Sequence, residues 1–132
     1  MTRIEVAFPV PADRAYAYLA DPRNRPAWQS TLRAVAAVRD DDSAWTDVTM
    51  VPGVRPRMRT TTAEPPYHWV EEGRCGPFRA RLALTFVPDG AGCRVSADFA
   101  VHGLGVGGIV TRAARATVAA DLRRAADLLR TA

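Results

Sequence analysis

The sequence contains no lysine, because all 18 of its Lys and Arg positions are arginine. Schiff-base chemistry on a lysine side chain is therefore excluded. It also has only two cysteines, Cys75 and Cys93, and two histidines, His68 and His102. Neither pair has the spacing of a metal site, and two cysteines do not make a disulfide framework. We predict free thiols, no metal and no cofactor.

Long hydrophobic runs are absent too, so no segment is expected to cross a membrane. The opening residues Met1–Glu5 lack the apolar core of a signal peptide, and we therefore expect a cytoplasmic protein. Its 132 residues, 48% hydrophobic and 24% charged, match one ordinary globular domain spanning residues 1–132.

The net charge of +4 is spread along the chain from Arg3 to Arg130. The arginines form no long run and are not interleaved with aromatic residues, so we predict no nucleic-acid partner. A positive charge still attracts anionic partners, and an acidic acyl carrier protein is one candidate.

The first thirty residues predict a strand followed by two short helices. Apolar and polar residues alternate from Thr2 to Val10, which is the period of a half-buried strand. Pro11 suits the start of a helix. Its apolar positions are Ala12, Ala15, Tyr16 and Leu19. Asp21 and Pro22 signal a second helix start, and this helix ends near Trp28.

The middle of the chain predicts six more strands joined by short turns. The candidates are Leu32–Arg39, Ala44–Val51, Val54–Ala63, Tyr67–Gly73, Phe78–Val87 and Cys93–His102. Short turns force antiparallel neighbours, so these strands should form a meander with the first strand paired at an edge.

The last two strands also predict their own register. The expected pairs are Phe86 with Val95, Leu84 with Ala97, Leu82 with Phe99, and Ala80 with Val101. This register leaves one face of the sheet apolar and the other polar, so the apolar face must be covered.

The last third of the chain predicts the element that covers it. A glycine-rich run at residues 103–108 precedes a helical pattern that reaches Ala132. One arc of this helix is apolar and contains Val110, Ala114, Val118, Leu122, Ala125, Leu128 and Leu129. Its small residues either keep the helix backbone close to the sheet or leave space beside it, and a ligand can occupy such space. Asp121 falls within the same arc, where it is either a pocket group or an anchor to strand residues, and we expect an anchor formed by a hydrogen bond or salt bridge.

This order of elements resembles the START and polyketide cyclase superfamily. The matching segments are Pro9–Asp13, Asp21–Pro22 with Trp28, Gly76–Phe78, and Asp121–Ala125 after the glycine-rich run. The resemblance implies an α+β helix-grip fold, in which a seven-stranded curved antiparallel sheet wraps around the long C-terminal helix. It also implies two short helices between the first and second strands and a hydrophobic cavity between sheet and helix. Members include polyketide cyclases and carriers of lipids or quinones, so fold alone does not name the activity.

The strand before Phe78 has two candidate inner faces. A loop of two or four residues before Phe78 turns inward Tyr67, Trp69 and Glu71. A loop of odd length turns inward His68, Val70 and Glu72. We predict the first arrangement.

Glu71 is the candidate general acid or base, because an apolar pocket raises the pKa of a carboxyl group. The alternative is a glutamate that reaches solvent beside Arg74. One strand earlier, Met58 is expected to point inward, because a buried guanidinium needs partners. If Arg59 points inward instead, it resembles the pocket arginines of some cyclases and could pair with Glu71.

Three functions remain open. As a polyketide cyclase or dehydrase, the protein would use Glu71 and Arg59 as catalytic residues. As a carrier or sensor of a lipid, quinone or isoprenoid, it would need only an apolar cavity. As an interaction module, it would expose an apolar patch instead. The predicted binding residues are Trp28, Met58, Tyr67, Trp69, Leu82, Leu84, Phe99, Val110, Ala114 and Val118.

Overall fold

The protein is built on one curved antiparallel sheet, seen in a computed structural model that describes residues 2–131. The strands are β1 (Thr2–Phe8), β2 (Leu32–Ala36), β3 (Ala44–Thr49), β4 (Arg57–Glu64), β5 (His68–Cys75), β6 (Phe78–Asp89) and β7 (Gly92–His102). Their spatial order is β1-β7-β6-β5-β4-β3-β2. The predicted meander is therefore confirmed, with β1 joining its end.

Two short helices connect the first two strands, and a long helix ends the chain. They are α1 (Ala12–Ala20), α2 (Arg25–Trp28) and α3 (Gly107–Arg130), and a 3-10 turn at Pro22–Asn24 precedes α2. Asp21 begins this turn as predicted, because its Oδ1 accepts a hydrogen bond from the Arg23 backbone N–H at 3.0 Å. Ala132, to which the helical pattern extends, lies outside the described residues.

The predicted register of the last two strands is confirmed at every pair. Phe86 lies opposite Val95, Leu84 opposite Ala97, Leu82 opposite Phe99, and Ala80 opposite Val101. Some strand ends differ from the prediction, since β2 stops at Ala36 and β4 begins only at Arg57. The helix-grip α+β fold expected from the sequence is therefore correct.

The core lies between the inner face of the sheet, α1 and the second half of α3. Tyr16 of α1 packs edge-on against Trp69 at 6.2 Å and contacts Phe86 at 5.3 Å between ring centroids. Leu122 and Leu129 of α3 are buried in the same cluster. Among the described residues, no helix has the length and apolar character needed to cross a membrane.

Candidate functional site

A cavity of about 310 Å³ lies between the sheet and α3. It exists because the facing surfaces carry small side chains. Gly73 and Ala80 are paired neighbours on β5 and β6, and Ala114 and Val118 face them from α3. Exposed residues, among them Arg74 and Thr117, also line the cavity, so it opens to solvent. Small side chains on both walls thus leave a space that larger ones would fill.

The walls of the cavity are mainly apolar. Six of the residues predicted to bind a ligand lie in them: Trp28, Met58, Leu82, Phe99, Ala114 and Val118. An engineered apolar cavity of about 150 Å³ holds one benzene molecule. The present cavity therefore suits a ligand of roughly two fused rings, or a larger ligand that extends into solvent.

The other four predicted binding residues lie elsewhere. Tyr67 is 58% exposed, because it belongs to the turn before β5 and not to the strand. Trp69 and Leu84 do face inward, but they are buried in the core beside α1. Val110 is 36% exposed at the edge of the α3 arc. The buried arc of α3 is displaced from Val110 and Leu128 toward Ala119 and Ala126.

One end of the cavity contains a buried ionic cluster centred on Arg25, which is only 3% exposed. Its guanidinium donates to Asp47 through Nε–H to Oδ1 at 3.2 Å and Nη2–H to Oδ2 at 3.1 Å. Nη1–H donates to Glu71 Oε1 at 2.8 Å, and Nη2–H also donates to Gln29 Oε1 at 3.3 Å. Four hydrogen bonds thus use most of the five guanidinium donors.

Two tryptophans complete the cluster through the same local pattern. Trp45 donates its indole N–H to Asp47 at 2.9 Å, and Trp69 donates its own to Glu71 at 3.2 Å. In each case the partners are two residues apart on one strand, so their side chains share a face. The ring of Trp45 also lies 5.0 Å from the Arg25 guanidinium carbon, a cation–π distance.

The charges of this cluster do not cancel when both carboxyl groups are ionised, because two carboxylates share one guanidinium. Burial raises the pKa of Asp47, and the charge of Glu71 raises it further, against the opposing effect of Arg25. Burial alone would lower the pKa of Arg25, but the two carboxylates outweigh it and raise that pKa. Arg25 therefore stays charged, and Asp47 binds a proton more readily than a solvated aspartate does.

Glu71 points inward as predicted and is 3% exposed, so the alternative in which it reaches solvent beside Arg74 is wrong. The loop before Phe78 consists of Gly76 and Pro77, the even length that this orientation requires. Both hydrogen bonds to Glu71 end on Oε1. Oε2 accepts none from the described residues, and the carboxyl group lines the cavity.

Arg59 does not take part in the cavity. The side chain of Arg59 is 69% exposed and pairs with Glu72 at 3.0 Å on the outer face of the sheet. Strand alternation turns Met58 inward instead, as expected for the side chain that needs no polar partner. The alternative in which Arg59 pairs with Glu71 is therefore wrong, and the arginine that does so is Arg25.

Asp121 anchors α3, as the sequence indicated, and also lines the cavity. Its Oδ1 accepts a hydrogen bond from the Ser30 backbone N–H at 3.2 Å. Burial raises the pKa of Asp121, opposed by this hydrogen bond and by Arg124. Within residues 2–131, no group of three or more His, Cys, Asp or Glu side chains could hold a metal ion.

The sequence reasoning missed Arg25 and Asp47. A usable signal was present, because Trp45 and Asp47 repeat the spacing of Trp69 and Glu71. Two acidic residues on inward strand faces need a cation, and Arg25 sits in the short helix that packs beside them. The pattern gives no indication of which of the 18 arginines fills this role.

Comparison with known proteins gives a match over the whole chain. The family described as "Polyketide cyclase / dehydrase and lipid transport" matches residues 1–132. A sequence comparison with curated proteins gives no significant match.

Solved structures with the same fold are distant in sequence. A protein from Deinococcus radiodurans is 19% identical with a TM-score of 0.71, covering 95% of this chain and 92% of its own. The di-domain ARO/CYC StfQ from the steffimycin biosynthetic pathway is 16% identical with a TM-score of 0.75, covering 96% of this chain and 49% of its own. The di-domain ARO/CYC BexL from the BE-7585A pathway is 15% identical with a TM-score of 0.77, covering 96% and 45%. At these identities the likeness establishes the fold alone.

Proposed function

The chain belongs to the family of polyketide cyclases, dehydrases and lipid transport proteins, and from that premise we propose that it binds a hydrophobic small molecule between sheet and α3. We further propose that it acts on a ligand with several keto groups as a cyclase or dehydrase. The observation that carries this proposal is Glu71, a carboxylate in an apolar cavity with one oxygen that accepts no hydrogen bond from the described residues. The ARO/CYC di-domains of similar fold are consistent with it.

The proposed chemistry needs only one group that accepts and returns a proton. Oε2 of Glu71 takes a proton from a carbon atom between two carbonyl groups, which leaves an enolate. The enolate carbon attacks the carbon atom of another carbonyl group further along the same ligand, and the new carbon–carbon bond closes the ring. The resulting alkoxide takes the proton back from Glu71, so the step is balanced. Arg25 and Trp69 act by holding Oε1, which fixes the direction of Oε2.

A carrier of a lipid, quinone or isoprenoid is the second candidate. It is favoured by the bonding of Glu71 and Asp47, because both already neutralise Arg25 and a purely structural role would account for them. In this function the apolar wall alone recognises the ligand, and neither carboxylate is needed. The two candidates therefore differ in what a neutral residue at position 71 does.

The first experiment is native mass spectrometry of the protein purified from its source organism, followed by extraction and identification of the bound compound. Turnover of that compound, or of its unreacted precursor, is then measured for the wild type and Glu71→Gln. A cyclase loses its turnover in Glu71→Gln and keeps ligand affinity. A carrier shows no turnover in either form and the same affinity in both.

Asp47→Asn is the matched control, because it removes the other carboxylate from the same guanidinium while leaving Glu71 in place. Under the cyclase proposal it retains most of the turnover that Glu71→Gln loses. Equal loss in both variants would assign the effect to the integrity of the cluster and would contradict a role for Glu71 in proton transfer.

An acidic acyl carrier protein is the partner that we propose for delivery of such a substrate. The net charge of +4 supports electrostatic attraction between the two. The association should weaken strongly with added salt when measured by titration with the purified carrier.

A further inference from the structure

The outer face of the sheet carries a strongly basic groove close to the cavity opening. The groove has a volume of about 620 Å³ and is lined by one glutamate, Glu72, by His102, and by five arginines. The arginines are Arg57, Arg59, Arg74, Arg79 and Arg81. The residues that line the groove have a formal charge of +4 when His102 is neutral, and this equals the net charge of the whole chain.

The strand register sets four of these basic residues in one row. Arg57 of β4 lies opposite Arg74 of β5, Arg74 lies opposite Arg79 of β6, and Arg79 lies opposite His102 of β7. Neighbouring strands are about 4.8 Å apart, so the backbone positions of the three arginines span about 10 Å across the sheet. Met58 points into the cavity, which places Arg57 on the opposite face of the same strand.

Like charges in directly opposed positions destabilise a sheet. Glu72 pairs with Arg59 in the next row, and none of Arg57, Arg74 and Arg79 forms a salt bridge within residues 2–131. The chain thus holds three uncompensated positive charges side by side at a cost in stability. A bound anion with more than one charge would offset that cost.

The groove and the cavity adjoin each other near the turn that joins β5 and β6. Arg74, Arg79 and Arg81 line both of them. The Arg74–Arg79 pair is one residue from the Cys75–Phe78 pair that closes the β5–β6 turn, a distance of about 3.4 Å along the strand. One ligand can therefore place an apolar body in the cavity and a charged end on the row.

We propose that this row binds the phosphate or diphosphate group of an amphiphilic ligand whose apolar part occupies the cavity. A phosphate group carries up to two charges and three strong acceptor oxygens, and guanidinium groups match its geometry. A carboxylate, with one charge, would leave most of the row uncompensated. Binding of the apolar part of the ligand in the cavity rests on the proposed function. The anion site on the row does not depend on that function.

The test uses three probes: decyl phosphate, 1-decanol and inorganic pyrophosphate, each titrated calorimetrically at low salt. The wild type should bind decyl phosphate about tenfold or more tightly than 1-decanol, since one charge-assisted hydrogen bond supplies that factor. Arg57→Gln/Arg74→Gln/Arg79→Gln should bind decyl phosphate no better than 1-decanol and should lose pyrophosphate binding. Because Arg74 and Arg79 also line the cavity, its affinity for 1-decanol can change as well, but by a smaller factor than its affinity for decyl phosphate.

The matched control is Arg14→Gln/Arg33→Gln/Arg123→Gln, which removes the same charge from exposed arginines outside the groove. It should keep the wild-type affinity for decyl phosphate. Equal weakening in both triple variants, or equal affinity of the wild type for decyl phosphate and 1-decanol, would overturn the proposal. Binding of a polyglutamate peptide without binding of pyrophosphate would overturn it too and would assign the groove to an acidic protein.

The two proposals fail in different ways. If 1-decanol does not bind but pyrophosphate binding depends on the row, the anion site stands and the apolar cavity proposal fails. Thermal unfolding provides a second readout. Loss of the row should raise Tm at low salt relative to the control variant, because it relieves repulsion between opposed charges. A lower Tm than the control would contradict the repulsion on which the proposal depends.

Discussion

Replacing Arg25 by methionine tests whether the buried cluster is held together by charge. Methionine keeps much of the side-chain length and suits the helical position, but it leaves Asp47 and Glu71 ionised in the cavity wall without a cation. Removing one partner of a buried ion pair costs about 3–5 kcal/mol. Folded domains are stable by only about 5–15 kcal/mol, so Arg25→Met should lose a large part of the total.

The same cost can be expressed as a temperature. The entropy of unfolding is about 2.1 cal/mol/K per residue, so for a chain of 132 residues each kcal/mol corresponds to about 3–4 °C. Arg25→Met should therefore lower Tm by about 10–18 °C near neutral pH, as measured by calorimetry or circular dichroism.

The pH dependence has a definite sign. Burial already raises the pKa of Asp47 above that of the unfolded chain, and removing Arg25 takes away the charge that opposes this rise. Carboxyl groups of this kind stabilise the fold below their unfolded pKa, and the contribution is lost as pH rises through the folded pKa. The deficit of Arg25→Met should therefore be much smaller at about pH 4 than at about pH 8.

A compensated variant separates charge from packing. In Arg25→Met/Asp47→Asn/Glu71→Gln the buried charges are gone, and the side-chain oxygens can still accept the hydrogen bonds of Trp45 and Trp69. This variant should recover at least half of the lost stability. If it is as unstable as Arg25→Met, or if the deficit does not change with pH, the electrostatic reasoning is refuted.

Three further predictions concern the cavity walls and the core beside them. Ala114→Phe should fill the cavity and weaken binding of 1-naphthol about tenfold or more, whereas Ala116→Phe, on the exposed side of α3, should bind as the wild type does in a fluorescence titration. Trp69→Phe removes the N–H donor to Glu71 and should cost about 1.5–3 kcal/mol in chemical denaturation, and a loss below the uncertainty of the method would show that this bond contributes nothing. Burial raises the pKa of Asp121, so its ionised form destabilises the fold. Asp121→Asn should therefore raise Tm at about pH 8 and leave it unchanged at about pH 4. The same difference in Tm at both pH values would contradict a raised pKa for Asp121.

Local patterns in the sequence were sufficient for the sheet. Alternation fixes which residues share a face, so the β6–β7 register followed without tertiary information, whereas the direction of Glu71 depended on a loop length that the sequence left open. The cost of burying an arginine without partners predicted that Met58, and not Arg57 or Arg59, points inward. The register and the inward direction of Met58 depend on residues that are close together in the sequence, so they can be predicted without knowing how the elements pack.

Positions where an element begins or ends were predicted less well. Tyr67 has the parity of Trp69 and Glu71, but β5 starts one residue later and Tyr67 lies in the turn. Val110 falls within the apolar arc of α3, yet the sheet covers an arc displaced from it, and Val110 is exposed. The extent of an element and the face of a helix that is covered depend on what packs against it.

The sequence by itself determined the order of the elements, the β6–β7 register and the small residues on the face of α3 that lines the cavity. Only the tertiary structure decided that Arg25 meets Asp47 and Glu71, which are 22 and 46 residues further along the chain. It also decided that Arg57, Arg74 and Arg79 form one row. Periodicity specifies the side of an element on which a residue lies, whereas a pairing between distant residues is specified by how the elements pack.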